Sequence, residues 1–156
     1  MNQKLSDWAN LAQIVSGIAV VITLVFLILG IRDNTDVTRA AVYQRSSDSL
    51  NQWRRDILSD PEVARLFGAF LNNQAADFDG VDRIRLTQLI LNNFQISESA
   101  FYAQRYGLLG RAEWTRFERS ICDNYARARS ARLAEALQLI MTKEFMEYIA
   151  VTCEAE

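Results

Sequence analysis

LAQIVSGIAVVITLVFLILGI, residues 11–31, contains no ionisable side chain, and its only polar interruptions are Gln13, Ser16 and Thr23. At about 1.5 Å of rise per residue, a helix of this length covers roughly 30 Å, the thickness of a hydrocarbon core. Trp8 stands just ahead of it, where an indole prefers the headgroup layer, and Arg32, Asp33 and Asn34 close the other end. The stretch reads as one transmembrane helix over 11–31, preceded by an interfacial segment over 1–10. A cleaved signal peptide is disfavoured. It would need a positive leader, a shorter apolar run and a small-residue cleavage site, whereas Lys4 is offset by Asp7 and LGIRDN (29–34) offers no such site.

Orientation follows from the flanking cations. Lys4 and the α-amine lie before the span, while Arg32, Arg39, Arg45, Arg54 and Arg55 lie after it, so the positive-inside tendency places the C-terminal part in the cytoplasm. Within the span, Ala12, Ser16, Ala19 and Thr23 recur at steps of four, three and four, and the same line continues through Phe26 to Gly30. Small residues on one stripe let helix backbones approach closely in lipid, which marks this stripe as a candidate oligomer seam.

Helical periodicity does not stop at the lipid boundary. No proline or glycine occurs between Ile31 and Leu58, and Ala40, Tyr43, Ser46, Leu50, Trp53 and Ile57 keep a three-four rhythm. A long juxtamembrane helix over 32–58 is expected, with a break near Asn34 and Thr35 as the alternative. Ser59-Asp60-Pro61-Glu62 then supplies an oxygen-bearing cap, a proline at the first helical position and an early acid. Beyond it come a helix through Leu66 and Phe70, a loop over 72–80, and the longest helix of the domain over about 81–106, closed by Gly107. Trp114, Phe117, Ile121 and Tyr125 define the next helix. Ser130 is read as the start of another, with Leu133, Leu137 and Ile140 inward, and a short last helix opens near Thr142 with Phe145, Tyr148 and Ile149. No run alternates like a strand. The fold class is therefore all-α, with a small antiparallel helical bundle over 59–156.

The string AFYAQRYGLLGRAEW (Ala100 to Trp114), with IRDNT after the span and SDPE before the second helix, resembles a widespread group of uncharacterised small bacterial single-span membrane proteins with a C-terminal helical domain. The resemblance implies a single pass through a bacterial inner membrane. No activity or site residues are assigned to that group, so it implies none here.

Composition excludes several chemistries. A formal net charge of -2 and a pI near 5.3 argue against a nucleic-acid partner, which would demand a basic excess. The absence of histidine removes imidazole-based catalysis and His-ligated metals, and no cofactor motif is present. Cys122 and Cys153 fit no metal spacing and make no disulfide framework, which favours a reducing compartment. Of 17 basic residues only Lys4 and Lys143 are lysine, a bias that either bidentate ion pairing or a GC-rich genome would produce.

Three candidate features remain. Glu98 and Arg105 could form a buried ion pair, with Arg65 opposite. Asn92 and Asn93 are amides in mid-helix, suited to a neighbouring helix, to solvent or to a ligand. Arg127, Arg129 and Arg132 form the densest basic patch, suited to lipid headgroups or a phosphate, though a solvated face explains it as well. The expectation is a non-enzymatic, membrane-anchored protein that self-associates as a scaffold, sensor or narrow pore. An accessory subunit of a larger membrane complex is the alternative.

Overall fold

The computed structural model describes residues 2–153, with side chains described at residue 13 and from residue 15 onward. Six helices account for the fold among these residues: α1 (Asn2–Ser59), α2 (Pro61–Leu71), α3 (Gly80–Arg105), α4 (Arg111–Ser130), α5 (Ala134–Ile140) and α6 (Lys143–Cys153). The juxtamembrane segment is helical throughout, without the break considered at Asn34. The chain divides into two compact units between Ala40 and Ala41, which assigns the last turns of α1 to the helical domain.

In the first unit, α1 is long and apolar enough to cross a membrane, and none of its most apolar window is buried within the chain. Polar side chains here bond inside the helix. Thr23 donates to the Ala19 carbonyl at 2.9 Å, and Thr35 and Thr38 repeat the pattern onto Ile31 and Asn34, each at 2.8 Å. Such back-bonding leaves these three hydroxyls with no donor that needs a partner from outside.

In the second unit, the final turns of α1 are held by Trp53 and Ile57, both buried. The Trp53 indole donates to the Leu89 carbonyl on α3 at 3.0 Å and meets the Phe67 ring edge-on at 5.1 Å. Asp60 then stops one helix and starts the next. Its carboxylate accepts from the amides of Glu62 at 2.9 Å and Val63 at 3.4 Å, while Pro61 fills the first position, where no amide donor is missed. Ser59 does not cap α2; its hydroxyl donates back to the Asp56 carbonyl.

The core lies between α3, α4 and α6, with α2 and α5 closing its sides. Phe70, Leu86, Phe94, Ile121, Leu137, Phe145 and Ile149 are almost wholly withdrawn from solvent. Phe101 sits among the rings of Tyr102, Trp114, Phe145 and Tyr148, with centroids 5.0 to 6.1 Å away. Those separations suit tilted and edge contacts, which add to the burial of apolar area. At the other end, Arg65 bridges Glu62 and Asp82 at 2.6 and 2.5 Å, tying α2 to α3. Arg65 donates to the exposed Glu62 carboxyl and holds it below its ordinary value of 4.5.

Two helix boundaries differ from expectation. Ser130 ends α4 instead of starting α5, because the chain turns through Arg132 in the left-handed region at φ 57°. The amide of Leu133 bonds back to the Ala128 carbonyl at 2.8 Å, closing α4 as glycine normally would. Helix α5 is consequently only seven residues long, and Ile140, expected inward, is exposed. Gly107 does behave as read: at φ 70° it closes α3, with Leu108 bonding back to Ala103.

Trp53→Ala should lower unfolding stability by about 3–5 kcal/mol, whereas Trp53→Phe should lose only about 1 kcal/mol with the indole hydrogen bond. Urea unfolding of the full chain in micelles, followed by circular dichroism, separates the two. Equal losses would mean that the N–H, not the packed ring, attaches α1 to the bundle.

Candidate functional site

The structure sends Glu98 and Arg105 to different partners, so the buried ion pair expected between them is absent. Glu98 is half-buried and reaches the start of α6, where its carboxylate accepts from both the amide and the hydroxyl of Thr142 at 2.7 Å. The Tyr102 hydroxyl shares a hydrogen bond with the same Thr142 hydroxyl at 2.9 Å. A carboxylate at a helix N-terminus satisfies free donors and meets the positive end of the helix dipole. Glu98 thus caps a helix three elements away. Arg105, exposed at the end of α3, pairs with Glu144 on the first turn of α6. Arg65, considered as a partner for Glu98, belongs to the Glu62 and Asp82 cluster.

The three arginines of the basic patch also separate. Arg127 is half-buried and its Nε donates to the Leu71 carbonyl at 3.4 Å. Arg129 and Arg132 are exposed, and Arg132 occupies the left-handed turn. The carbonyls around that turn are taken by a residue outside the patch: Arg83 donates to Ala131 and Arg132, both at 2.6 Å. Among the seam residues, Ser16, Ala19, Thr23 and Gly30 are exposed, and Ala12 lies outside the described side chains.

Cys122 and Cys153, read as making no disulfide framework and as favouring a reducing compartment, are bonded to one another. Separated by 31 residues, they come together as a disulfide between α4 and α6, with Cα atoms 5.0 Å apart. Spacing in sequence carried no sign of this, because the pairing depends on α4 and α6 packing side by side.

The two asparagines part ways. Asn92 is exposed and borders a shallow cleft with Arg45 and Asp48. Asn93 is only 5 % exposed and lines a groove of about 770 Å³. This groove runs between the last turns of α1, the middle of α3 and the outer face of α4. Leu50, Trp53, Ile57, Phe67 and Phe117 form its apolar lining, and Ser47, Ser97, Asn93, Ser120 and Asn124 contribute polar groups. Arg54, Glu113 and Arg116 also line it. Asn124 donates to the Asn93 Oδ1 at 3.1 Å, and the Ser97 hydroxyl donates to the Asn93 carbonyl at 3.0 Å. Sequence reading reached Asn93 through its poor helix propensity, but not Arg54, Arg116 or the groove, since residues 54, 93 and 116 meet only through packing.

Among the described residues no three metal-ligating side chains come together. One ionisable group at the α4–α6 contact is perturbed. Burial, with the hydrogen bond from its hydroxyl to the Glu118 carboxylate, raises Tyr148 above the ordinary tyrosine value of 10.0. No protein family, curated protein or solved structure matches the chain.

Because the fold holds the Tyr148 proton more tightly than the unfolded chain, the contribution is complete below pH 10 and is lost as pH rises through the raised value. Stability should therefore fall more steeply above pH 10 in the parent than in Tyr148→Phe. Denaturant midpoints measured between pH 8 and 11.5 check this; parallel alkaline limbs would contradict it.

Proposed function

We propose that this chain is a non-enzymatic, single-span membrane protein whose N-terminal helix anchors it and mediates self-association, with the helical domain held outside the lipid. The observation that carries the reading is the uncovered apolar surface of α1: from Val15 to Ile31 the large side chains are about half exposed or more, with no cover among the described residues. Water would oppose that exposure at roughly 25 cal/mol per Å², so lipid or another helix must take its place. Ser16, Ala19, Thr23 and Gly30 supply the small-residue stripe along which a second copy would approach. Since the Thr23 hydroxyl bonds within its own helix, close backbone approach is the attraction at that position, not hydrogen bonding across the seam. The resemblance to small bacterial single-span proteins supports an inner-membrane location.

The side of the membrane is a contest between two signals. Arginines after the span favour a cytoplasmic domain, but only Arg32 and Arg39 lie close to the lipid, against Lys4 before it. The Cys122–Cys153 bond is a property of oxidising compartments. We place the domain on the oxidising face, against the orientation the arginines suggest. An accessory role in a larger complex is the second reading, favoured by the same uncovered helix if its partner is a different protein.

Ser16→Leu or Ala19→Leu should dissociate the detergent-solubilised assembly to monomers, read by mass in native mass spectrometry. An unchanged mass would remove the seam, and a parent that is monomeric alone but copurifies with another membrane protein would favour the accessory role.

For orientation, the chain denatured without reductant should resist maleimide labelling and take two adducts after reduction. Labelling without reductant would return the domain to the cytoplasm. Cys122→Ser should cost about 2–4 kcal/mol of stability, as expected for a cross-link closing a loop of 31 residues.

A further inference from the structure

We propose that the groove between the end of α1, α3 and α4 is a binding site for a single-chain anionic amphiphile, such as a fatty carboxylate or a lysolipid phosphate. The decisive observation is the lining of the groove, which joins an apolar wall to two arginines and the Asn93 amide. Asn93 is 5 % exposed and lines the groove, its Oδ1 accepts from Asn124, and its Nδ2, which donates to no protein group among the described residues, keeps contact with solvent. An amide N–H₂ at the groove wall is free to donate to an acceptor oxygen seated there.

The rest of the lining specifies what carries that oxygen. Arg54 and Arg116 border the same groove, and neither has an ion-pair or hydrogen-bond partner among the described residues. Two guanidiniums face one carboxylate, Glu113, so the polar lining is rich in donors and carries net positive charge. An anionic head complements it, with charge-assisted hydrogen bonds from guanidinium groups. The apolar lining, including Trp53 and Phe117, suits a hydrocarbon tail and not a hydrated phosphate or sugar alone. A volume of about 770 Å³ falls within the range of roughly 300–1,000 Å³ usual for small-ligand sites. The site lies wholly within the helical domain, so it does not depend on the seam or on which side of the membrane the domain occupies.

The test uses the full chain in nanodiscs of neutral phosphatidylcholine and a diazirine-bearing palmitate as probe. Cross-links mapped by peptide sequencing should concentrate on residues 43–58 and 113–124. Excess palmitate or palmitoyl lysophosphatidate should displace them at concentrations where hexadecanol, with the same tail and no charge, does not. Arg54→Gln and Arg116→Gln together should reduce labelling about tenfold with unchanged circular dichroism, since both side chains are exposed and give up no protein partner. Asn93→Leu should reduce it further, with the arginine variants as the control against misfolding. Labelling confined to residues 11–31, equal displacement by hexadecanol, or indifference to the arginine substitutions would overturn the proposal. None of these outcomes bears on the mass of the assembly, so the site and the seam stand or fall separately.

Discussion

The buried Trp53 ring, with its indole N–H bonded to the Leu89 carbonyl, is what makes the last turns of α1 part of the helical domain. A carbonyl inside a helix keeps a second lone pair beyond its ladder bond, and Trp53 uses it without disturbing α3. Packing of the indole against Phe67 and of Ile57 beside it completes the attachment. One large anchor, rather than a continuous interface, leaves space on both sides of α1. The cleft beside Asn92 and the groove beside Asn93 both have Trp53 in their walls. The shape of the candidate site is thus a consequence of how sparsely α1 is held.

Much of the polar chemistry of the bundle goes into helix ends. Asp60 caps α2, Glu98 caps α6 from across the domain, and Arg83 covers the terminal carbonyls of α4. Each helix end carries backbone groups that the helix itself cannot pair, and in a core between short loops those groups must find side chains. This explains why Glu98, the acid most suggestive of chemistry by its position among aromatics, is occupied structurally. It also leaves Asn93, Arg54 and Arg116 as exceptions: polar groups at one groove that no helix terminus uses.

The legibility of the sequence follows the range of the interactions. Local signals were readable: the ionisable-free run over 11–31, the unbroken rhythm into α1, Pro61 at the start of α2, and Gly107 at the end of α3. The end of α4 was not, because Arg132 adopts the left-handed turn that a glycine would announce, and its cost is met by the Arg83 bonds and the buried Leu133. Sequence reading brought Glu98 and Arg105 together because they lie on one helix. Packing of α6 against them offered each a nearer partner. The groove was illegible for the same reason that the disulfide was, since both are made of residues that only the packing of separate helices brings together.

The disulfide and the arginine bias also differ in kind. Positive-inside is a tendency in how a chain is inserted, summed over a few cations, and here the sum is nearly balanced. Arg39 stands within 3.6 Å of Asp36, although acids weigh little in that tendency. The cysteine pair is a specific coincidence: Cys122 near the middle of α4 and Cys153 at the end of α6 must be brought to bonding distance by the packing of Phe117, Ile121, Phe145 and Ile149. A core that held two thiols side by side in a reducing compartment would gain nothing from the arrangement beyond ordinary packing. In an oxidising one the same arrangement ties the last helix to the centre of the bundle, where Tyr148 and Glu118 already join α6 to α4. That added constraint is covalent, where the other ties between the two helices are packing and hydrogen bonds.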